Sequence, residues 1–125
     1  MRRKVLVVDD EPDILEVLKD RLEAYGFVVV TANTGREALQ RLSGEAFDGM
    51  FMDIKMPEMN GMEALQEIRK TNRSIPIIMI TTSTTKEAAI TALAKGANDY
   101  LLKPFEWEEL RAKIERIYGI ALPPS

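Results

Sequence analysis

The chain contains no cysteine and no histidine. Without cysteine there is no disulfide framework, no thiolate nucleophile and no zinc cluster built on sulfur. Without histidine there is no serine–histidine triad and no imidazole to move protons. Long apolar runs are missing too. The basic opening MRRK leads only into VLVV (Val5–Val8), too short for the apolar core of a signal peptide, and no small-residue cleavage site follows. No segment reaches membrane-spanning length, so a cytoplasmic protein without a membrane partner is expected. A dominant positive charge is also lacking: 17 Lys and Arg face 20 Asp and Glu, a net charge of −3. That balance offers no broad basic field, so nucleic acid is not expected as a direct partner. Any chemistry must use carboxylates, lysine, hydroxyls and a hard metal ion held through oxygen.

What remains is an ordinary soluble composition. At 125 residues and 46% hydrophobic, the chain suits one domain with a sizeable core. Apolar runs alternate five times with helical periodicity. VLVV precedes a helix from Pro12 to about Tyr25, with Ile14, Leu18, Leu22 and Tyr25 on one face. Pro12 suits the first turn, the acid before it is expected to cap, and Gly26 is expected to stop the helix. FVVVTA (Phe27–Ala32) reads as a strand, followed by a helix over Gly35–Ser43 with Ala38, Leu39 and Leu42 on one side. GMFMD (Gly49–Asp53) is the third strand, and Met62–Lys70 a helix facing inward through Leu65 and Ile68. IPIIMIT (Ile75–Thr81) is the fourth strand, and Lys86–Lys95 a helix with Ala89, Ile90 and Leu93 inward. DYLLK (Asp99–Lys103) is a short fifth strand. Trp107–Tyr118 closes the series, with Leu110, Ile114 and Ile117 inward. Continuous apolar strands alternating with helices mean a parallel sheet covered on both faces, in a doubly wound α/β layer. Residues 1–119 are expected to form the domain, and the Pro-rich 120–125 a tail, a frayed end or the start of a linker.

In open α/β sheets, sites lie beyond the carboxyl ends of the strands. Those ends carry Asp9 and Asp10, Asp53, Thr81 and Thr82, and Lys103 before Pro104. Each has a plain structural explanation. Asp10 caps the next helix, Asp9 is solvated, Thr81 is a β-branched strand residue, and Lys103 is a surface lysine. Their coincidence at the ends of four strands favours a shared site instead. Three clustered carboxylates repel one another unless a cation compensates. Mg²⁺ is a natural compensator, taking one or two carboxylates, several waters and a phosphate. A carboxylate can also act as nucleophile and become an aspartyl phosphate. Lys103 and the cation would then neutralise phosphoryl oxygens, and the Thr81 hydroxyl would donate to one of them.

Four motifs, VDDE (Val8–Glu11), MDIKMPEMNG (Met52–Gly61), ITT (Ile80–Thr82) and LKPF (Leu102–Phe105), together resemble the receiver domains of two-component response regulators. The order and spacing of all four agree, and the resemblance runs from Lys4 to about Tyr118. It implies a flavodoxin-like five-stranded parallel sheet of order 2-1-3-4-5 flanked by five helices. It implies that Asp53 is the phosphoacceptor and that Asp9, Asp10, Asp53 and the Lys55 carbonyl hold Mg²⁺, Asp9 partly through water. Thr81 becomes the switch hydroxyl and Lys103 the phosphate-pairing lysine, and the Lys103–Pro104 peptide is expected to be cis. Tyr100 matches the aromatic coupled to the switch, with a half-exposed strand tyrosine as the alternative. Lys55 and Thr82 occupy positions that tune dephosphorylation, with a solvated lysine as the alternative for Lys55.

Phosphorylation is expected to draw Thr81 and the loop Ser83–Thr85 toward the new charge. That would bias the face made by the fourth helix, fifth strand and fifth helix, including Lys95 and Tyr100. Trp107 belongs either to that face or to packing at the start of the last helix. The implied partners are a sensor histidine kinase or phosphotransfer protein, a downstream effector or fused output domain, and a second copy on phosphorylation. Two other classes of protein differ from this chain at the motifs. A haloacid-dehalogenase-type phosphatase carries an acid two residues after its nucleophile, where this chain has Lys55. A flavodoxin-like FMN carrier has a Ser/Thr/Gly phosphate loop after its first strand, where this chain has DDEPD. A signalling switch without turnover of external substrates is the expectation, not an enzyme.

Overall fold

The computed structural model describes residues 2–82 and 86–123, with Lys86 described through its backbone only. Ten elements alternate along the chain: β1 (Lys4–Val8), α1 (Pro12–Ala24), β2 (Val28–Ala32), α2 (Gly35–Gly44), β3 (Gly49–Met52), α3 (Gly61–Thr71), β4 (Ile77–Thr81), α4 (Lys86–Ala94), β5 (Asp99–Leu102) and α5 (Trp107–Tyr118). The strands form one parallel sheet of order β2-β1-β3-β4-β5. Successive strand residues point to opposite faces, and both faces are covered, which is why the strands read as unbroken apolar runs. Leu6, Val8, Met50, Met52, Ile77 and Met79 meet the side of α2, α3 and α4. Val5, Val7, Phe51, Ile78 and Ile80 meet Leu18 and Leu22 of α1 and Leu110 and Ile114 of α5. Each fully buried Leu or Ile contributes about 1.5–3 kcal/mol relative to exposure.

Strand β4 begins two residues later than the sequence suggests. Pro76 has no N–H, and the Ile75 N–H donates to Asn72 Oδ1 at 3.1 Å, so the ladder starts at Ile77. Helix α1 starts at Pro12 as expected, but the Glu11 side chain makes no capping hydrogen bond. Pro12 removes one amide that a cap would serve. Gly26 ends the turn after α1 with φ +99°, a conformation that disfavours a side chain.

Helix α4 overturns an expectation. It buries Ala89 and Ala92, while Ile90 and Leu93 are 64% and 47% exposed. Hydrophobicity alone points those two inward. Small side chains occupy the buried positions instead, and the larger ones are left outside.

Residues 120–123, read from the sequence as linker or frayed end, lie against the body of the domain. Gly119 turns the chain with φ +63°, the Ile120 N–H donates to the Glu115 carbonyl at 3.1 Å, and the Leu122 N–H donates to Glu115 Oε2 at 2.7 Å. Leu122 is buried in the cluster that holds Tyr25 and Phe27. Ile120 and Leu122 share one hollow with Arg2, Arg3 and Phe27, at the end of the sheet where the strands begin. Pro124 and Ser125 lie outside the described residues.

Candidate functional site

Four strands deliver polar residues to one rim, and the sheet's own hydrogen bonds fix their backbones. The Asp9 N–H, just past β1, donates to the Ala32 carbonyl at 3.2 Å. The Asp53 N–H, just past β3, donates to the Val8 carbonyl at 3.0 Å. The Lys103 N–H, just past β5, donates to the Thr81 carbonyl at 2.8 Å. Thr81 is the buried last residue of β4, in register with Leu102. The Lys103–Pro104 peptide is cis.

Lys103 Nζ lies 2.7 Å from Asp9 Oδ2 and 3.2 Å from Asp53 Oδ2, so one ammonium serves two carboxylates. Asp9 and Asp53 are 1% and 5% exposed, and charges so buried need partners. Asp9 Oδ1 also accepts the Glu11 N–H at 3.0 Å, and Asp53 Oδ1 accepts the Lys55 N–H at 3.2 Å. Burial pushes the Asp53 carboxyl above its ordinary range, and the Asp9 charge adds to the rise; Lys103 and the Lys55 N–H oppose without cancelling it. For Lys103, burial works to lower the pKa. The hydrogen bond to Asp9 and the charges of Asp53 and Asp9 outweigh that and hold it raised.

Asp9, Asp10, Glu11 and Asp53 each offer a carboxylate oxygen, and all four oxygens lie within 4.8 Å of one another. Lys103 Nζ contacts two of these four carboxylates, those of Asp9 and Asp53. This set of hard oxygen donors with unmatched negative charge fits a divalent cation such as Mg²⁺. The loop from Asp53 to Asn60 is pinned at both ends. The Gly61 N–H donates to the Ile54 carbonyl at 2.8 Å. Asn60 Oδ1 accepts the Glu63 N–H at 3.0 Å while the Asn60 N–H donates to Glu63 Oε1 at 3.3 Å, a reciprocal cap on α3. Gly61 itself sits so close to the Asp53 backbone that a Cβ would lie 2.2 Å from the Asp53 carbonyl oxygen.

The rim therefore brings together Asp9, Asp10, Asp53, Lys103 and the Lys55 backbone, with Thr81 at the end of the neighbouring strand. The Lys55 side chain is exposed, as is Thr82. Tyr100 is half-buried and packs against the core on the α2–α4 side. Trp107 meets Phe105 edge-on at 5.4 Å and lies under the Arg21 guanidinium at 4.5 Å. It therefore packs at the start of α5 against α1. The loop Ser83–Thr85, expected to follow Thr81, lies outside the described residues. Glu11, expected from the sequence to cap α1, makes no capping bond and joins the acidic group instead. The signal was present as a third consecutive acid before Pro12, a residue type poorly suited to capping.

Residues 5–115 match the family model described as the response regulator receiver domain. A probable transcriptional regulator, ycf27, from Guillardia theta is 44% identical over 93% of this chain and 45% of its own length. The CpxR homolog of Haemophilus influenzae, a transcriptional regulatory protein, is 42% identical over 98% of this chain and 53% of its own length. The chain thus spans about half the length of these two curated relatives, and a quarter of the Escherichia coli regulator ZraR. Among solved structures, a two-component response regulator from Clostridium difficile superposes with a TM-score of 0.90 at 29% identity, covering 94% of this chain and 97% of the other. The Thermotoga maritima response regulator TrrA, in complex with Mg²⁺ and BeF, gives 0.84 at 36% identity, covering 94% and 99%. Motifs, sheet order and family match agree: the chain belongs to the response regulator receiver domains of two-component signalling, which are signalling proteins rather than metabolic enzymes.

Proposed function

We propose that this domain is a phosphorylation-activated switch in which Asp53 accepts a phosphoryl group from a phosphohistidine donor. An Asp53 carboxylate oxygen bonds to phosphorus as the bond from phosphorus to the donor's imidazole nitrogen breaks, and the imidazole takes up a proton. The observation that best supports this is the Lys103 ammonium seated between Asp9 and Asp53 at the rim, at 2.7 and 3.2 Å. It already touches the oxygen-bearing group that would gain charge.

Asp9, Asp10, Asp53 and the Lys55 carbonyl would hold Mg²⁺, Asp9 partly through water. When bound, the cation supplies charge neutralisation for the phosphoryl oxygens. Lys103 orients and neutralises the group, and the Thr81 hydroxyl donates to it. Thr81 and the half-buried Tyr100 carry the change to the face of α4, β5 and α5. Lys55 and Thr82, both exposed beside the site, set how easily water reaches the acyl phosphate. The partners are a sensor histidine kinase or phosphotransfer protein, then an effector or fused output domain, with a phosphorylation-dependent homodimer through the same face. The switch is built on residues 1–119, with Ile120 and Leu122 packed against it. A cytoplasmic location belongs to the same proposal; no helix among the described residues is long and apolar enough to cross a membrane.

The test is incubation with Mg²⁺ and a small phosphodonor, followed by intact mass. One phosphate is expected on the wild type, labile to hydroxylamine, and none on Asp53→Asn. No mass gain under conditions that phosphorylate a control receiver would sink the proposal.

A further inference from the structure

Glu11 has no task in the scheme above. It stands at the N-cap of α1 without capping, and its backbone N–H holds Asp9. Its carboxylate lies with those of Asp9, Asp10 and Asp53. It borders the same opening as Thr82, Lys103 and Phe105, so anything entering from that side passes it. Lys103, the ammonium of the rim, is committed to Asp9 and Asp53. Glu11 is exposed, whereas Asp9 and Asp53 are buried.

We infer that Glu11 is a charge-selecting residue of this rim, one that strengthens the hold on a divalent cation and opposes an anionic phosphoryl group. Both effects follow from the sign of one charge close to the site. A divalent cation gains attraction from a fourth carboxylate. A phosphoryl group adds negative charge at Asp53, and Glu11 repels it. Asp13, another exposed acid in the first turn of α1, lies outside the four-carboxylate group and separates position from general acidity.

Because this rests on the metal-dependent reading of the site, the test distinguishes the two. Mg²⁺ is titrated calorimetrically into the full chain as wild type, Glu11→Gln and Asp13→Asn, with circular dichroism to verify folding. The dissociation constant should rise about three- to tenfold for Glu11→Gln and less than about 1.5-fold for Asp13→Asn. At saturating Mg²⁺, trifluoroberyllate, an anionic phosphoryl mimic, should bind Glu11→Gln at least as tightly as wild type. Unchanged Mg²⁺ affinity in Glu11→Gln, an equal loss in Asp13→Asn, or weaker trifluoroberyllate binding would each overturn the inference. Failure of the wild type to bind Mg²⁺ at millimolar concentration would overturn the metal-dependent reading itself.

Discussion

Replacing Gly61 with alanine tests whether the loop after β3 is held as tightly as its contacts suggest. The new methyl carbon would lie 2.2 Å from the Asp53 carbonyl oxygen, 2.8 Å from Ile54 Cα and 2.9 Å from Met79 Cε. Ordinary contacts of a Cβ begin at 3.4 Å, so the Asp53 carbonyl must retreat by roughly 1 Å. Two of the three atoms belong to backbone and cannot rotate aside. The hydrogen bond from the Gly61 N–H to the Ile54 carbonyl must distort with them. Overpacking of this kind costs about 1–3 kcal/mol. For a chain of 125 residues the entropy of unfolding is about 0.26 kcal/mol/K, so 2 kcal/mol lowers Tm by about 8 °C. The same retreat pulls Asp53 from Lys103 and should weaken Mg²⁺ binding. Gly44→Ala is the control, since a methyl there meets nothing within 4 Å. Thermal melts by circular dichroism, with and without Mg²⁺, provide the readout. A Gly61→Ala variant melting within about 2 °C of wild type, with unchanged Mg²⁺ affinity, would refute the claim that backbone packing behind Asp53 sets the site.

The raised pKa of Asp53 has a signed consequence for stability. The folded chain holds this proton more tightly than the unfolded chain. The destabilisation from Asp53 is therefore absent below its unfolded pKa and fully developed above its folded one. Without divalent cation, Asp53→Asn should be more stable than wild type at neutral pH, and the gap should close as pH falls through the Asp53 titration. Urea unfolding across pH checks this, and a gap that widens toward acid contradicts it. On α4, Ile90→Glu and Leu93→Glu should each leave stability within about 0.5 kcal/mol of wild type, because both side chains are exposed. A loss of 2 kcal/mol or so in denaturant unfolding would mean that they are packed after all.

The sheet was legible because its two covered faces force continuous apolar strands, and these run directly into the polar rim residues. Asp9, Asp53, Thr81 and Lys103 could be found from strand ends alone. The orientation of α4 could not. Its inner positions are filled by Ala89 and Ala92, and a scale that ranks Ile and Leu as more apolar selects the wrong face. Glu11 was hidden because its role depends on what the chain brings near it. Asp53 is remote in sequence but close in space. The docking of Leu122 was hidden for a similar reason: the short tail reads as frayed until Tyr25 and Phe27 are seen beneath it. Arg69 belongs with these. It donates to the Gly96 carbonyl at 2.8 Å and to Asn98 Oδ1 at 3.1 Å, tying α3 to the turn before β5 across 27 and 29 residues of sequence. Side-chain pairings over such separations leave no local pattern.

The hollow shared by Arg2, Arg3, Ile120 and Leu122 brings the first and last described segments of the chain side by side, at the end of the sheet remote from the acidic rim. Arg3 also stacks over the Tyr118 ring at 5.1 Å, so the two segments touch through side chains as well. Nearby ends of this kind tolerate circular permutation. In a domain cut to the described residues, a short flexible bridge across the hollow would close the backbone into a ring, and the exposed turn around Ala46 could be opened to give new ends. The rim would be left intact, while the order in which its strands leave the ribosome would change. That makes the fold a natural subject for asking whether the site assembles by chain order or by packing alone.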